Sequence, residues 1–228
     1  MCIRDRARPA STDPHRVGLF DTLLGRTKPV KANLDALFAL PSAAVTLQTA
    51  AGLVSSGAAG VCWKPPAGQP AEDLEKEIGE LLDLPDDPDT ATESATPAIE
   101  TATLQSATSV GKFTQAEDSY GYRWLLLDDP DIEDLVTRVH LANSTLTDAG
   151  WGPQLLCSVF GFKPGDGASP DAKPFFLVYL FKRGTFYPFA PLAGEHRDNE
   201  LELRVKAVVG PDLPFEADLS RWLSLIHI

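Results

Sequence analysis

Side chains able to do chemistry are sparse in this chain and far apart. Histidines stand at His15, His140, His196 and His227, no two of them at metal-ligand spacing. His196 lies beside Glu195, Arg197 and Asp198, a cluster that could orient a base or hold part of a metal site. The same residues also suit a solvated helix start. Cys62 and Cys157 sit inside the apolar runs VCW and LLCSVF. A thiolate nucleophile needs a cationic, accessible setting, so these thiols read as small buried hydrophobes. G-x-S-x-G, G-x-x-x-x-G-K and H-E-x-x-H do not occur. Gly165-Asp166-Gly167 falls in a hairpin loop, so it reads as a turn and not a phosphate cradle. No catalytic residue, cofactor or metal is expected.

Two segments instead suggest contact surfaces. In KRGTFYPFAP the cations Lys182 and Arg183 precede Phe186, Tyr187 and Phe189, a mixture suited to anchoring a protein partner. Its other reading is a strand end, with the rings in the core and the cations in water. In GLFDTLLGRT, Gly18 to Thr27, Leu19, Phe20, Leu23 and Leu24 fall at helical spacing before Arg26. That short amphipathic helix either docks on the body or lies on a membrane surface or partner.

The elements that position these residues follow from periodicity. Asn33 can cap a short helix Leu34–Leu40 that Pro41 ends. Ala43–Thr49 and Ala59–Lys64 read as strands, with the Gly- and Ser-rich stretch Gly52–Gly60 as the turn between them. Pro70 opens a helix over 71–84. Residues 83–110 are acidic, free of Lys and Arg, and rich in Thr, Ala and Ser; they read as a flexible acidic insertion. Phe113–Glu117 and Tyr120–Leu127 make a hairpin around Asp118-Ser119. Asp129 caps a helix that starts at Pro130 and ends near Gly150. Gln154–Phe162, Phe175–Phe181 and Thr185–Ala190 are strands. Phe175 to Leu192 is apolar on both faces until Lys182, so it belongs inside a packed sheet. Asp198 caps a last helix, Asn199–Val209. Strand pairs on short loops mean antiparallel pairing. The expected class is α+β, an antiparallel sheet of about five to six strands flanked by helices.

The 228 residues carry a formal net charge of −12. Acidity of this size argues against a nucleic-acid partner and against broad attraction to anionic lipid. Three widely spaced cysteines suit a reducing compartment, hence a cytoplasmic location. No apolar run approaches the roughly 18 residues needed to span a bilayer. The ends, Met1 to Arg16 and Leu223 to Ile228, read as foreign to the fold, leaving 17–222 as one domain.

Three blocks are more distinctive than any short motif. GLFDTLLGRTKPVKANLDALFALPSAAVTLQ, DSYGYRWLLL, and the series GPQLLCSVFGF, LVYLFKRGTFYPFAP, RDNELELRV and LPFEADLSRW resemble the PspA-associated protein B family over about Val17 to Trp222. The resemblance implies an accessory protein of envelope stress. It would be non-enzymatic and partnered by PspA or a membrane quality-control protease, with peripheral association at the inner membrane. The element order is similar to that of type III secretion chaperone-like folds. A small chaperone-like or ligand-binding protein, or a hydrolase, is the alternative.

Overall fold

The computed structural model describes residues 32–65, 76, 78, 80, 104–110, 113–118, 120–166, 168–169, 172–193 and 196–222, all within a unit spanning 32–228. Gly18–Thr27 and residues 83–103 lie outside the described residues. So does most of the helix expected over 71–84, though Lys76, Ile78 and Glu80 are helical and Ile78 is buried.

Among the described residues, the helices α1 (Leu40–Ala51), α2 (Ile132–Leu146) and α3 (Asn199–Val209) accompany a seven-stranded sheet. Its strands are β1 (Leu53–Trp63), β2 (Leu104–Val110), β3 (Phe113–Asp118), β4 (Arg123–Asp128), β5 (Leu155–Pro164), β6 (Phe175–Leu180) and β7 (Thr185–Phe189). They run in the order β2-β3-β4-β1-β5-β6-β7, and every neighbouring pair is antiparallel. The α+β expectation holds. Two meanders, β2-β3-β4 and β5-β6-β7, are joined by β1, the first of these strands in sequence and the middle one in space. A two-stranded ribbon, β8 (Pro191–Leu192) and β9 (His196–Arg197), precedes α3.

Period-2 alternation sorts the sheet's side chains onto two faces. Val61, Leu125, Leu127, Phe160, Phe162, Phe175, Leu177, Tyr179 and Phe186 share one cluster with Leu37, Leu47, Val136, Val139 and Val205 of the helical segments. The opposite face gathers Cys62, Trp124, Leu126, Cys157, Val159, Val178, Tyr187, Phe189 and Trp222. Burying each of these larger side chains contributes about 1.5–3 kcal/mol.

Several expectations are corrected. Ala43–Thr49 is helix, not strand. Leu37, Leu40, Ala44 and Leu47 recur at three- and four-residue steps and are all buried. Its threonines turn their hydroxyls back along the helix, Thr49 Oγ1 donating to Val45 O at 2.9 Å. Pro41 does not end a helix. The 3-10 segment Leu34–Ala39 runs into α1, and Pro41 sits in its first turn, where a missing N–H leaves no bond unmade. Gly52, at φ 65, supplies the left-handed cap.

The small residues after Gly52 are strand, not turn. Their purpose is a bulge between Ser55 and Ala59. There Gly57 adopts φ 81, and a Cβ would meet Asp129 O at 3.1 Å. The Asp129 N–H donates to Gly57 O at 2.8 Å, fixing β1 to the loop before α2. Asp131, not Asp129, caps α2, accepting from Glu133 N at 2.7 Å. Asp129 faces the buried Arg138 at 3.5 Å. The acidic insertion reaches less far than expected, because 104–110 forms the edge strand β2, paired with β3 from Leu104↔Asp118 to Val110↔Phe113. The β3–β4 hairpin and α3 stand where expected, with Asp198 Oδ1 accepting from Leu201 N at 3.1 Å.

Candidate functional site

The turn 181–184 holds the cations of the KRGTFYPFAP block, while its rings lie in the strand that follows. Lys182 and Arg183 occupy the β6–β7 turn, closed by Gly184 N donating to Leu180 O at 2.9 Å. Phe186, Tyr187 and Phe189 lie in β7 and are buried, 0, 0 and 1 % exposed. The rings therefore belong to the core, and of the five residues only Lys182 and Arg183 reach solvent. Arg183 is held by Glu216, which also accepts from Thr185 Oγ1 at 3.3 Å and Asp218 N at 3.1 Å. Burial would raise the Glu216 carboxyl, but the Asp218 N–H and the Arg183 guanidinium outweigh it and hold it below the usual range. Of the other candidate segment, Leu19, Phe20, Leu23, Leu24 and Arg26 lie outside the described residues.

The segment that carries Glu216 closes the β7 edge. Phe186 N donates to Pro214 O, and Glu216 N to Phe186 O, both at 2.8 Å, so the strand end is covered. Arg197 then binds the layers together. Its guanidinium donates to Glu202 Oε1 at 2.9 Å, Pro188 O at 3.3 Å and Trp222 O at 2.5 Å, and it lies 5.1 Å from the Phe189 ring centre. Glu202 also accepts from Ala190 N at 2.9 Å. Sequence reading missed this Arg197–Glu202 link, since its charges look like an ordinary amphipathic helix start.

Cys62 and Cys157 are partners in register across β1 and β5, 0 and 3 % exposed. Burial, then the adjacent Cys157 thiol, pushes the Cys62 thiol well above its ordinary value. Tyr187, beside them, is also pushed up by burial and stacks with Trp222 at 6.2 Å. Buried between strands, the two thiols lack the cationic, accessible setting that a thiolate nucleophile needs. His196 is exposed on β9. Asp198 is engaged by Lys173 at 2.9 Å and by the α3 cap, and the Lys173 bond holds its carboxyl low. So His196 is surface, Asp198 is capping, and the cysteines lie inside the sheet. Among the described residues no three of His, Cys, Asp and Glu could hold a metal together.

Asp118 is a buried carboxylate with a structural task. It accepts from Tyr120 N at 2.9 Å, Tyr122 N at 3.0 Å and Trp124 Nε1 at 3.1 Å, fixing the β3–β4 turn.

What the structure does leave outside is a set of apolar side chains on the helices. Phe38 is 50 % exposed, Val45 61 %, Leu141 38 % and Leu203 52 %. The sequence signal was present but hidden by the strand reading: Leu34 to Ala51 carries one charge, Asp35. By length and composition alone this stretch could cross a membrane, a length that the sequence reading had not credited to any apolar run.

A family model described as PspA associated protein B matches residues 17–228. No curated protein and no solved structure matches the chain, so the likeness to type III secretion chaperone-like folds finds no support among them.

Proposed function

This chain belongs to the PspA associated protein B family, and from that premise we propose that it is a non-enzymatic accessory protein of a PspA-type envelope stress response. It acts by protein–protein contact at the cytoplasmic face of the inner membrane. The family match over 17–228 carries the reading. The engagement of the reactive side chains in packing and capping agrees with it: the two inner thiols are buried, and Asp198 starts a helix. A membrane quality-control protease is the second candidate partner. The test is binding of the purified full chain to PspA. Lys182→Glu and Leu23→Asp probe the two sequence-derived surfaces, each with a thermal melt to check folding. Failure of the wild-type chain to bind PspA sinks the reading. So does turnover of a metabolite or peptide that a single side-chain change abolishes without loss of fold.

A further inference from the structure

The segment from Leu34 to Ala51 is apolar on both sides. Its inner stripe, Leu37, Leu40, Ala44 and Leu47, is buried. Its outer stripe runs Phe38, Pro41, Val45 at steps of three and four, and Phe38 and Val45 are more than half exposed or nearly so, at 50 % and 61 %. Ser42, Gln48 and Thr49 are exposed beside Val45, so the apolar outer stripe is narrow and edged by polar side chains. The outer side faces solvent.

Its neighbours extend the same surface. The Phe38 ring lies 4.9 Å from the His140 ring of α2, next to exposed Leu141. On α3, Leu203 is exposed on the side opposite the buried Leu201, Val205 and Val209. Each helix thus presents an apolar side chain away from the sheet. The charges around them are mostly acidic. Asp35 precedes Phe38 by one turn, Glu133 lies two turns before Leu141, and Glu200 lies beside Leu203. Among the described residues there, Arg204 is paired to Glu200 at 2.7 Å, and Lys206, one turn after Leu203, lies over the Trp222 ring at 5.3 Å.

We infer that the outer face of the helix layer, centred on Phe38 and Val45, is a docking site for an amphipathic helix whose apolar stripe is flanked by Lys and Arg. Apolar anchors inside an acidic rim give affinity at the centre and steering at the edge. The same acidic rim disfavours an anionic lipid surface. The inference rests on the accessory reading above and names the surface it uses.

The experiment titrates the full chain with PspA and with a synthetic amphipathic helix carrying Lys and Arg beside its apolar stripe, and separately with vesicles of anionic and zwitterionic phospholipid. Val45→Asp and Leu203→Asp alter exposed positions, so their melting temperatures should match wild type. Each should weaken binding of PspA and of the synthetic helix about tenfold or more, the scale of an anchor residue. Glu133→Lys should slow association and flatten its salt dependence. Tyr120→Asp, on the exposed β3–β4 turn, should bind like wild type. Wild-type binding with unchanged affinity in Val45→Asp and Leu203→Asp overturns this site and leaves the accessory reading standing. Absence of wild-type binding to PspA removes both. Vesicle binding lost in the same two variants, without PspA binding, assigns the face to the membrane and overturns the helix proposal.

Discussion

Asp128 ends β4 with its carboxyl half-buried, and burial raises it from 3.8 to about 6. A carboxyl whose folded value exceeds its unfolded value adds stability that is complete below 3.8 and is lost as pH rises through about 6. Asp128→Asn should therefore gain stability over wild type as pH climbs from about 4 to about 7, by about 1 kcal/mol once its solvent exposure is discounted. Parallel urea-denaturation midpoints for the two proteins across that range would refute this. The buried thiols give a second check. Native Cys62 and Cys157 should resist iodoacetamide at neutral pH and react only on unfolding, so rapid labelling of the folded protein would place them wrongly. Residues of this kind were legible in part. Cys62 and Cys157 read correctly as core because their neighbours are apolar. The aromatics Phe186, Tyr187 and Phe189 stayed ambiguous, because adjacency to Lys182 and Arg183 in sequence does not reveal that the cations lie in a turn and the rings in the strand that follows. Arg197–Glu202 was illegible, since a link to Trp222 and Pro188 depends on distant backbone arriving at one place.

Elements with both a periodic core and a specific end signal were the readable ones. Asp198 sets α3 and Asp118 sets the β3–β4 hairpin, each through short local bonds that the sequence contains. The errors fall where local and tertiary preferences conflict. Val45, Thr46 and Thr49 favour strand intrinsically, but the stripe Leu37–Leu40–Ala44–Leu47 meets the sheet only as a helix. The Gly and Ser residues of β1 look like a turn because a bulge and a turn use the same small residues. That bulge is a sharp prediction. Gly57→Ala puts a side chain at φ 81 and 3.1 Å from Asp129 O, and should destabilise by about 1–3 kcal/mol in a denaturant titration. Gly121→Ala, also at positive φ but with nothing near its Cβ position, should cost less. Equal costs would mean that the contact with Asp129 is not what constrains the strand.

For the molecule as a whole, titration has two opposing arms. Glu216 and Asp198 both sit below their ordinary values of 4.5 and 3.8. Groups depressed on folding add stability above their unfolded values, and that stability is lost as pH falls through the folded ones. Acid should therefore weaken the Arg183–Glu216 and Lys173–Asp198 links while Asp128 gains from protonation. Unfolding stability should peak in mildly acid solution and drop below about pH 4. A steady rise from neutral pH down to that point and beyond would contradict the assignment. Glu202→Ala leaves Arg197 without its carboxylate among Phe189, Pro188 and Trp222, and should cost about 3–5 kcal/mol. Calorimetry showing a change under 1 kcal/mol would mean that water takes the carboxylate's place. The position of β1 has a last consequence, for biosynthesis. This strand leaves the ribosome before either of its neighbours, β4 and β5, has been made. Until β4 emerges β1 has neither edge paired, and until β5 emerges it has only one, so completion of the sheet waits until most of translation is over. Shielding by a ribosome-associated chaperone during that interval should raise the yield of soluble product more than slowing elongation does.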